Sequence, residues 1–157
     1  MANNAMMVFA SATTCISQTA TVADGEVVGG DTELDNSKNL YPLATAVIEI
    51  TDTFGATPSG TIDLYMVRGD TDGTSNNTAL GYAALSTTNS QTDPEYAEYV
   101  GSYAPDVDEA YRDAITISLS GVKQAKFYIM NNTGQNLVYS SNAITVKITP
   151  FTFTPST

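Results

Sequence analysis

The chain has 157 residues, enough for one domain with a full core, and 42% of them are hydrophobic, which excludes a disordered chain. Only 15% are charged, below the roughly 25% usual in soluble domains. The 17 acidic and 6 basic residues give a net charge of −11. This charge repels phosphate groups, so neither nucleic acid nor an anionic membrane surface is an expected partner.

The chain contains no histidine and a single cysteine, Cys15. One cysteine excludes an intrachain disulfide, and the missing histidines remove the commonest general base and metal ligand. We therefore expect Cys15 to be a small buried residue, and we expect no enzymatic activity, metal or cofactor. The first residues lack the basic and apolar segments of a secretion signal, and no apolar run approaches the roughly 20 residues that cross a bilayer. We therefore expect the protein to be synthesised in a cytoplasm and to have no membrane partner.

Residues 1–40 form an N-terminal segment that is expected to be extended, ahead of a body at 41–157. The segment is apolar at its start and then rich in Thr, Ser and Ala, a composition that favours strands over helices. Two interpretations remain open: it supplies the first strands of the body, or it is an arm that docks on a neighbour. Because an extended apolar segment can add a strand to a neighbour's sheet edge, we expect partner-binding residues at Met6, Met7, Val8 and Phe9.

The body contains stretches in which apolar and polar residues alternate, so that each stretch has one apolar face. Turn signals recur roughly every 8–15 residues, and no segment has the periodicity of a long helix. The pattern predicts about six or seven strands in an all-β fold, a single-domain antiparallel β-sandwich that is Ig-like or jelly-roll-like. The clearest strands are 46–51, 62–67, 115–119, 127–130 and 144–148.

The connections between these strands carry three further expectations. The link after 46–51 contains Gly and Pro, so 46–51 and 62–67 are expected to form a hairpin. The last three strands are expected to follow one another as an array, with a tight reversal at 131–134. Pro150 and Pro155 are expected to exclude the segment after Ile148 from a central strand position.

Tyrosines are concentrated between residues 96 and 111. The alternation from Tyr96 to Tyr103 predicts a strand with an aromatic face. Tyrosine is enriched at protein interfaces, since it combines a large contact area with a polar tip. The other interpretation is that these rings cap the ends of the sandwich. On the first interpretation, Tyr96, Tyr99 and Tyr103 join the partner-binding residues.

Acidic residues are dense at 93–113, where Asp106, Asp108 and Glu109 follow the tyrosine-rich strand. A solvated acidic face is the expected role, with weak cation binding or glycosidase chemistry as alternatives. The sequence Asp-Thr-Asp-Gly at 70–73 begins like a calcium loop, but its glycine comes too early and the twelfth position is Gly81. It is interpreted as a turn, and the Arg-Gly-Asp tripeptide at 68–70 is interpreted as a strand ending in a turn.

Several short motifs occur in a particular order between residues 43 and 150. Together they resemble the small virion proteins of tailed bacteriophages. They are turn and strand signatures rather than catalytic motifs, so the resemblance implies a β-sandwich structural protein of the capsid or tail. The motifs are Thr-Phe-Gly-Ala-Thr-Pro at 53–58, Thr-Ile-Asp-Leu-Tyr at 61–65, Asn-Asn-Thr-Gly-Gln at 131–135, Ser-Asn at 141–142 and Ile-Thr-Pro at 148–150.

The resemblance implies a capsid decoration (cement) protein, made in the cytoplasm of the bacterial host and attached to the outer surface of the virion. Its expected partners are the major capsid protein, whose shell it would stabilise, and itself, as a homo-oligomer such as a trimer. A tail, neck or fibre component is the alternative. A carbohydrate-binding module is a third hypothesis, and the absence of tryptophan counts against it.

Overall fold

The computed structural model describes residues 5–30, 32–69, 97–137 and 144–155. Within these ranges the chain forms ten strands and no helix, and the strands make two antiparallel sheets that pack against each other. The predicted all-β antiparallel sandwich is confirmed. The strands are β1 (Ala5–Phe9), β2 (Thr13–Gln18), β3 (Val27–Gly29), β4 (Leu34–Asp35), β5 (Leu43–Ile50), β6 (Thr61–Gly69), β7 (Glu98–Tyr103), β8 (Tyr111–Ser118), β9 (Gln124–Asn132) and β10 (Ile144–Pro155).

The two sheets have the same arrangement of strands at one edge. The first has the order β1-β10-β5-β8, and β2 also pairs with β10. The second has the order β3-β9-β6-β7, and β4 also pairs with β9. In each sheet, a long C-terminal strand therefore has two short N-terminal strands lying one after the other along the same edge.

The core lies between the inner faces of the two sheets. Strands β5 and β6 alternate as the sequence predicts, and the residues expected to face inward have exposed fractions of 3% or less. Phe127 and Ile129 share the inner face of β9, again as predicted. The inward residues of β5 and β6 are Ala46, Ile48, Ile50, Ile62, Leu64 and Met66.

Strands β5 and β6 do not form the predicted hairpin. β5 pairs with β10 and β8, whereas β6 pairs with β9 and β7, so residues 51–60 cross from one sheet to the other. Phe54 in this link is only 2% exposed and belongs to the core. The hairpin prediction is wrong because a short link fits both connections, and the apolar anchor at Phe54 favours the crossing.

The last three strands are also not adjacent to one another. β8 and β10 flank β5 in the first sheet, and β9 lies in the second. The predicted reversal at 131–134 begins too early, since β9 continues through Asn132. The turn follows it, where Gly134 has a φ of +73°.

Pro150 lies within a central strand, contrary to prediction. It is opposite Ala44 on β5, and its carbonyl accepts a hydrogen bond of 2.8 Å from the N–H of Ala10. In an antiparallel ladder the N–H and C=O of one residue point toward the same neighbour. The missing N–H of Pro150 therefore faces the link between β2 and β1, and the ladder with β5 loses no donor.

Candidate interaction surface

The end of β10 and strand β1 form a two-stranded ribbon. The pairing of β10 with β5 ends at Phe151, opposite Leu43, whereas its pairing with β1 continues to Pro155. Among the described residues, 152–155 pair with β1 alone. We call residues 5–9 and 151–155 the terminal ribbon. Two strands by themselves have marginal stability in water, so contacts at the base of the ribbon determine how well it is held.

Three phenylalanines anchor the base of the terminal ribbon. The ring centroids of Phe9 and Phe151 are 5.6 Å apart, and those of Phe151 and Phe153 are 5.7 Å apart with nearly perpendicular planes. Such tilted and edge-to-face pairs contribute about 0.5–1.5 kcal/mol each beyond the area they bury. Phe151 is 4% exposed and fixes the cluster to the sandwich.

Large apolar side chains project from this ribbon into solvent. Met6, Met7, Phe9 and Phe153 have exposed fractions between 44% and 59%. None of the ten ribbon residues carries a charge, in a chain whose net charge is −11. Clusters of exposed apolar side chains of this kind mark interaction sites in soluble proteins.

The backbone of β1 also presents an open edge. β1 is the last strand of its sheet, and no other described strand pairs with its outer side. The N–H of Ala10 donates to the carbonyl of Pro150, so the backbone groups of Ala10 face β10. Every second residue of an antiparallel strand faces the same neighbour, so the N–H and C=O groups of Val8 and Met6 also point toward β10. Those of Ala5, Met7 and Phe9 consequently point outward, where a further strand could pair with them.

The four N-terminal residues predicted to bind a partner thus lie together on β1. In register, Met7 and Phe9 share a face with Phe153 and Phe151, and Met6 and Val8 occupy the opposite face. Sequence reasoning missed Phe151 and Phe153 as members of this surface. Their signal was the alternation Phe-Thr-Phe-Thr at 151–154, which continues the strand pattern beyond Pro150.

The predicted tyrosine surface is divided by a bulge in β7. Leu64 pairs with Gly101 but Tyr65 pairs with Tyr99, so Val100 is an extra residue in the ladder. As a result Tyr99 lies on the outer face, where it is 56% exposed and its ring contacts Tyr65 at 5.8 Å.

Tyr103 lies on the inner side of the bulge and is 0% exposed. Its assignment to a partner surface is therefore wrong, because the extra residue reverses the face that simple alternation gives it. Tyr96 lies outside the described residues. Tyr99 is on the second sheet, so the structure does not join it to the terminal ribbon on the first.

The acidic residues of the described segments do not converge on a metal site. Glu98 is paired with Arg68 at 2.7 Å, and Asp106, Asp108 and Glu109 lie in the link between β7 and β8. Over the ranges that the structure describes, no group of three or more potential ligands is positioned to hold a metal ion. Asp93, Glu95 and the Asp-Thr-Asp-Gly sequence fall outside those ranges.

Cys15 is buried, as predicted, with an exposed fraction of 1%. Burial raises the pKa of its thiol from 9.0 to about 12, which keeps it protonated and poorly nucleophilic at neutral pH. The described part of the chain has no helix with the length and apolarity needed to cross a membrane.

Comparison with known proteins gives no further assignment: no protein-family model matches the chain, and a search of curated proteins finds no match.

Proposed function

We propose that the chain is a capsid decoration protein of a tailed bacteriophage, which binds the outer surface of the shell built by the major capsid protein. The observation that carries the proposal is the terminal ribbon, where Met6, Met7, Phe9 and Phe153 are half-exposed on an uncharged edge of the sandwich. The resemblance of the turn and strand motifs between residues 43 and 150 supplies the class of partner.

The ribbon would bind at joints between capsid subunits through its apolar faces. Complete burial of a large apolar side chain provides about 1.5–3 kcal/mol, so covering the exposed halves of four such side chains provides on the order of 3–6 kcal/mol before the cost of association. One ribbon therefore gives weak attachment. Several ribbons presented together by an oligomer would bind a repeating shell far more tightly, because the later contacts are intramolecular.

The acidic surface is consistent with a position outside the shell. A net charge of −11 disfavours contact with packaged DNA and maintains the solubility of a protein that accumulates before assembly. A tail, neck or fibre component would share these properties, and copy number separates the two functions.

The test of location is quantitative mass spectrometry of purified virions, with the major capsid protein as the reference. A molar ratio near one, or a simple fraction such as one third, is the expected result. A ratio of a few per cent would instead assign the chain to the neck, tail or fibres, and absence from virions would remove the structural role altogether.

The test of the surface is binding of the purified protein to shells that lack it. We expect the double substitution Phe9→Ser and Phe153→Ser to reduce binding at least tenfold. Val107→Ser is the matched control, since Val107 is 46% exposed and lies in the link between β7 and β8. Equal binding by both variants would refute the ribbon as the contact surface.

A further inference from the structure

We infer that β1 pairs with β1 of a second copy of this chain, antiparallel and about a two-fold axis at Met7, so that the first sheets of the two copies become continuous. This pairing goes beyond the proposed function and does not rest on it. Three features of β1 carry the inference: its open hydrogen-bonding groups, the sizes of its side chains and its lack of protection against edge pairing.

The open backbone groups of β1 are self-complementary. Ala5, Met7 and Phe9 direct their N–H and C=O groups away from β10, as the bond from Ala10 to Pro150 requires. An antiparallel second copy centred on Met7 sets Met7 against Met7 of the second copy and Ala5 against Phe9. All three outward-facing residues then lie in pairs that exchange two hydrogen bonds each. Moving the axis by one residue to Val8 would set Ala5 against Ser11, which is beyond the end of β1.

The side chains fit the same register. On one face, the large ring of Phe9 lies beside the small side chain of Ala5 of the second copy, and the flexible Met7 side chains meet at the axis. On the other face, Met6 lies beside Val8 of the second copy. Each cross-strand pair thus combines apolar side chains of compatible size, and such pairs are the unit of sheet stabilisation.

β1 carries none of the features that normally prevent edge strands from pairing. Natural sheets protect their edges with lysine, proline, charged inward-facing residues or bulges. The five residues of β1 are Ala, Met, Met, Val and Phe, and their register with β10 is regular. The rest of the chain is strongly acidic, so this neutral edge is where two copies can approach without ionic repulsion.

The proposed pairing makes a dimer and also limits its affinity. The two-fold contact uses the same edge of β1 on both copies and leaves neither edge free, so assembly through this contact stops at a dimer rather than a trimer. Five residues per strand bury much less than the roughly 1,200 Å² of a stable interface, so the dimer should be weak and dependent on concentration. Strand pairing leaves the faces of the sheet uncovered, and Phe9 and Phe153 of both copies would form one apolar platform.

The inference is tested by sedimentation velocity over a range of protein concentrations. We expect the wild-type chain to shift from monomer to dimer as the concentration rises. Met7→Lys and Met7→Glu should each lose dimer formation, because two like charges would face each other at the axis. An equimolar mixture of the two variants should recover it, since the opposite charges then meet.

Val107→Lys is the control, because Val107 is 46% exposed in the link between β7 and β8, so the same charge is added away from β1, and we expect this variant to dimerise like the wild type. A second measurement uses the unaltered chain: amide hydrogen exchange of Met7 and Phe9 should slow with increasing concentration, while that of Val8 should not change. A monomer at every concentration, dimerisation of Met7→Lys equal to wild type, or a mixture that remains monomeric would overturn the inference. None of these outcomes affects the copy number in virions, so the proposed function is judged separately.

Discussion

The hydroxyl of Tyr103 on β7 donates a hydrogen bond of 3.1 Å to the backbone carbonyl of Ala46 on β5. Since the two strands belong to different sheets, this bond joins the sheets through the interior. Tyr103 is fully buried, and burial, followed by the nearby Asp113 and Tyr111, raises the pKa of its hydroxyl above its usual value. The bulge in β7 is what turns this side chain inward, away from Tyr99.

Tyr103→Phe should destabilise the fold by about 0.5–1.5 kcal/mol, because it removes one buried hydrogen bond but keeps the ring. Tyr103→Ala should cost about 3–5 kcal/mol, since it also leaves a cavity between the sheets. Urea denaturation measures both values. Tyr99→Phe is the control, as its exposed side chain should change the free energy of unfolding very little, and an equal effect at the two tyrosines would contradict the inward assignment of Tyr103.

Stability should fall as the solution becomes alkaline, because the native state holds the Cys15 thiol protonated. Its pKa rises from 9.0 to about 12 on burial, so the contribution of this group is fully present below pH 9 and is lost as the pH rises toward 12. The expected slope is about 1.4 kcal/mol per pH unit in this window. Burial also raises the pKa of Tyr111 and Tyr128 to about 12, which adds to the fall above pH 10.

Urea midpoints measured between pH 8 and pH 10 would test this expectation. Cys15→Ala should be less stable than the wild type at pH 8, but its midpoint should change less between pH 9 and pH 10. Identical pH profiles for the two proteins would mean that the thiol is not responsible.

Gly30, directly after β3 of the second sheet, lies against the backbone of β2 in the first sheet. A Cβ at this position would overlap the carbonyl oxygen of Cys15 on β2, and a backbone oxygen cannot move aside as a flexible side chain can. Gly30→Ala should therefore destabilise the protein by about 3 kcal/mol, at the upper end of the range for overpacking. Thermal unfolding followed by circular dichroism would measure the loss.

Gly55→Ala is the comparison for Gly30→Ala. Gly55 has a φ of +77° and open space around the position of a Cβ, so alanine there meets backbone strain alone, about 1–2 kcal/mol. A smaller loss at Gly30 than at Gly55 would show that the sheets can separate at low cost.

The Asn131 side chain, near the C-terminal end of β9, forms a buried polar bridge. Its Nδ2 donates to the carbonyls of Val22 and Gln135 at 3.1 and 2.7 Å, and its Oδ1 accepts from the hydroxyl of Thr133 at 2.7 Å. Asn131→Asp replaces the donor by an oxygen that faces two carbonyls, so we expect a loss of about 3 kcal/mol or more in urea denaturation.

The matched control for this change is Asn136→Asp. Asn136 is exposed, and its Oδ1 accepts a hydrogen bond from the N–H of Asp24 at 3.1 Å, a role that a carboxylate oxygen can also fill. The control should remain within about 0.5 kcal/mol of the wild type. Equal losses at the two asparagines would mean that the bridge at Asn131 contributes no specific stability.

Alternation along individual strands could be predicted from the sequence because burial of one face imposes a period of two. Ile62, Leu64 and Met66 are buried for this reason. The pairing of strands could not be predicted in the same way, since the link around Phe54 is compatible with either a hairpin or a crossing. The bulge at Val100 could not be predicted either, because a residue is extra only relative to the strand with which its own strand pairs.

The candidate surface was predicted in part. Met6, Met7, Val8 and Phe9 stood out as an apolar run, and the structure keeps them together on β1. Phe153 did not stand out, because its membership depends on β10 continuing through Pro150. β10 can continue through Pro150 because its partner strand changes there from β2 to β1. This change of partner depends on residues that are distant in the sequence, so no local pattern predicts it.

The pairing of Ala5 with Pro155 has a mechanical consequence. The first and last strands of the described structure lie side by side and run in opposite directions, so a force that pulls their outer ends apart acts on one residue pair at a time. The ribbon would open from Ala5 and Pro155 inward to Phe9 and Phe151. Little force would reach the strands around the core until the whole ribbon had opened. A tether attached at either end would therefore yield gradually before the sandwich itself came under tension.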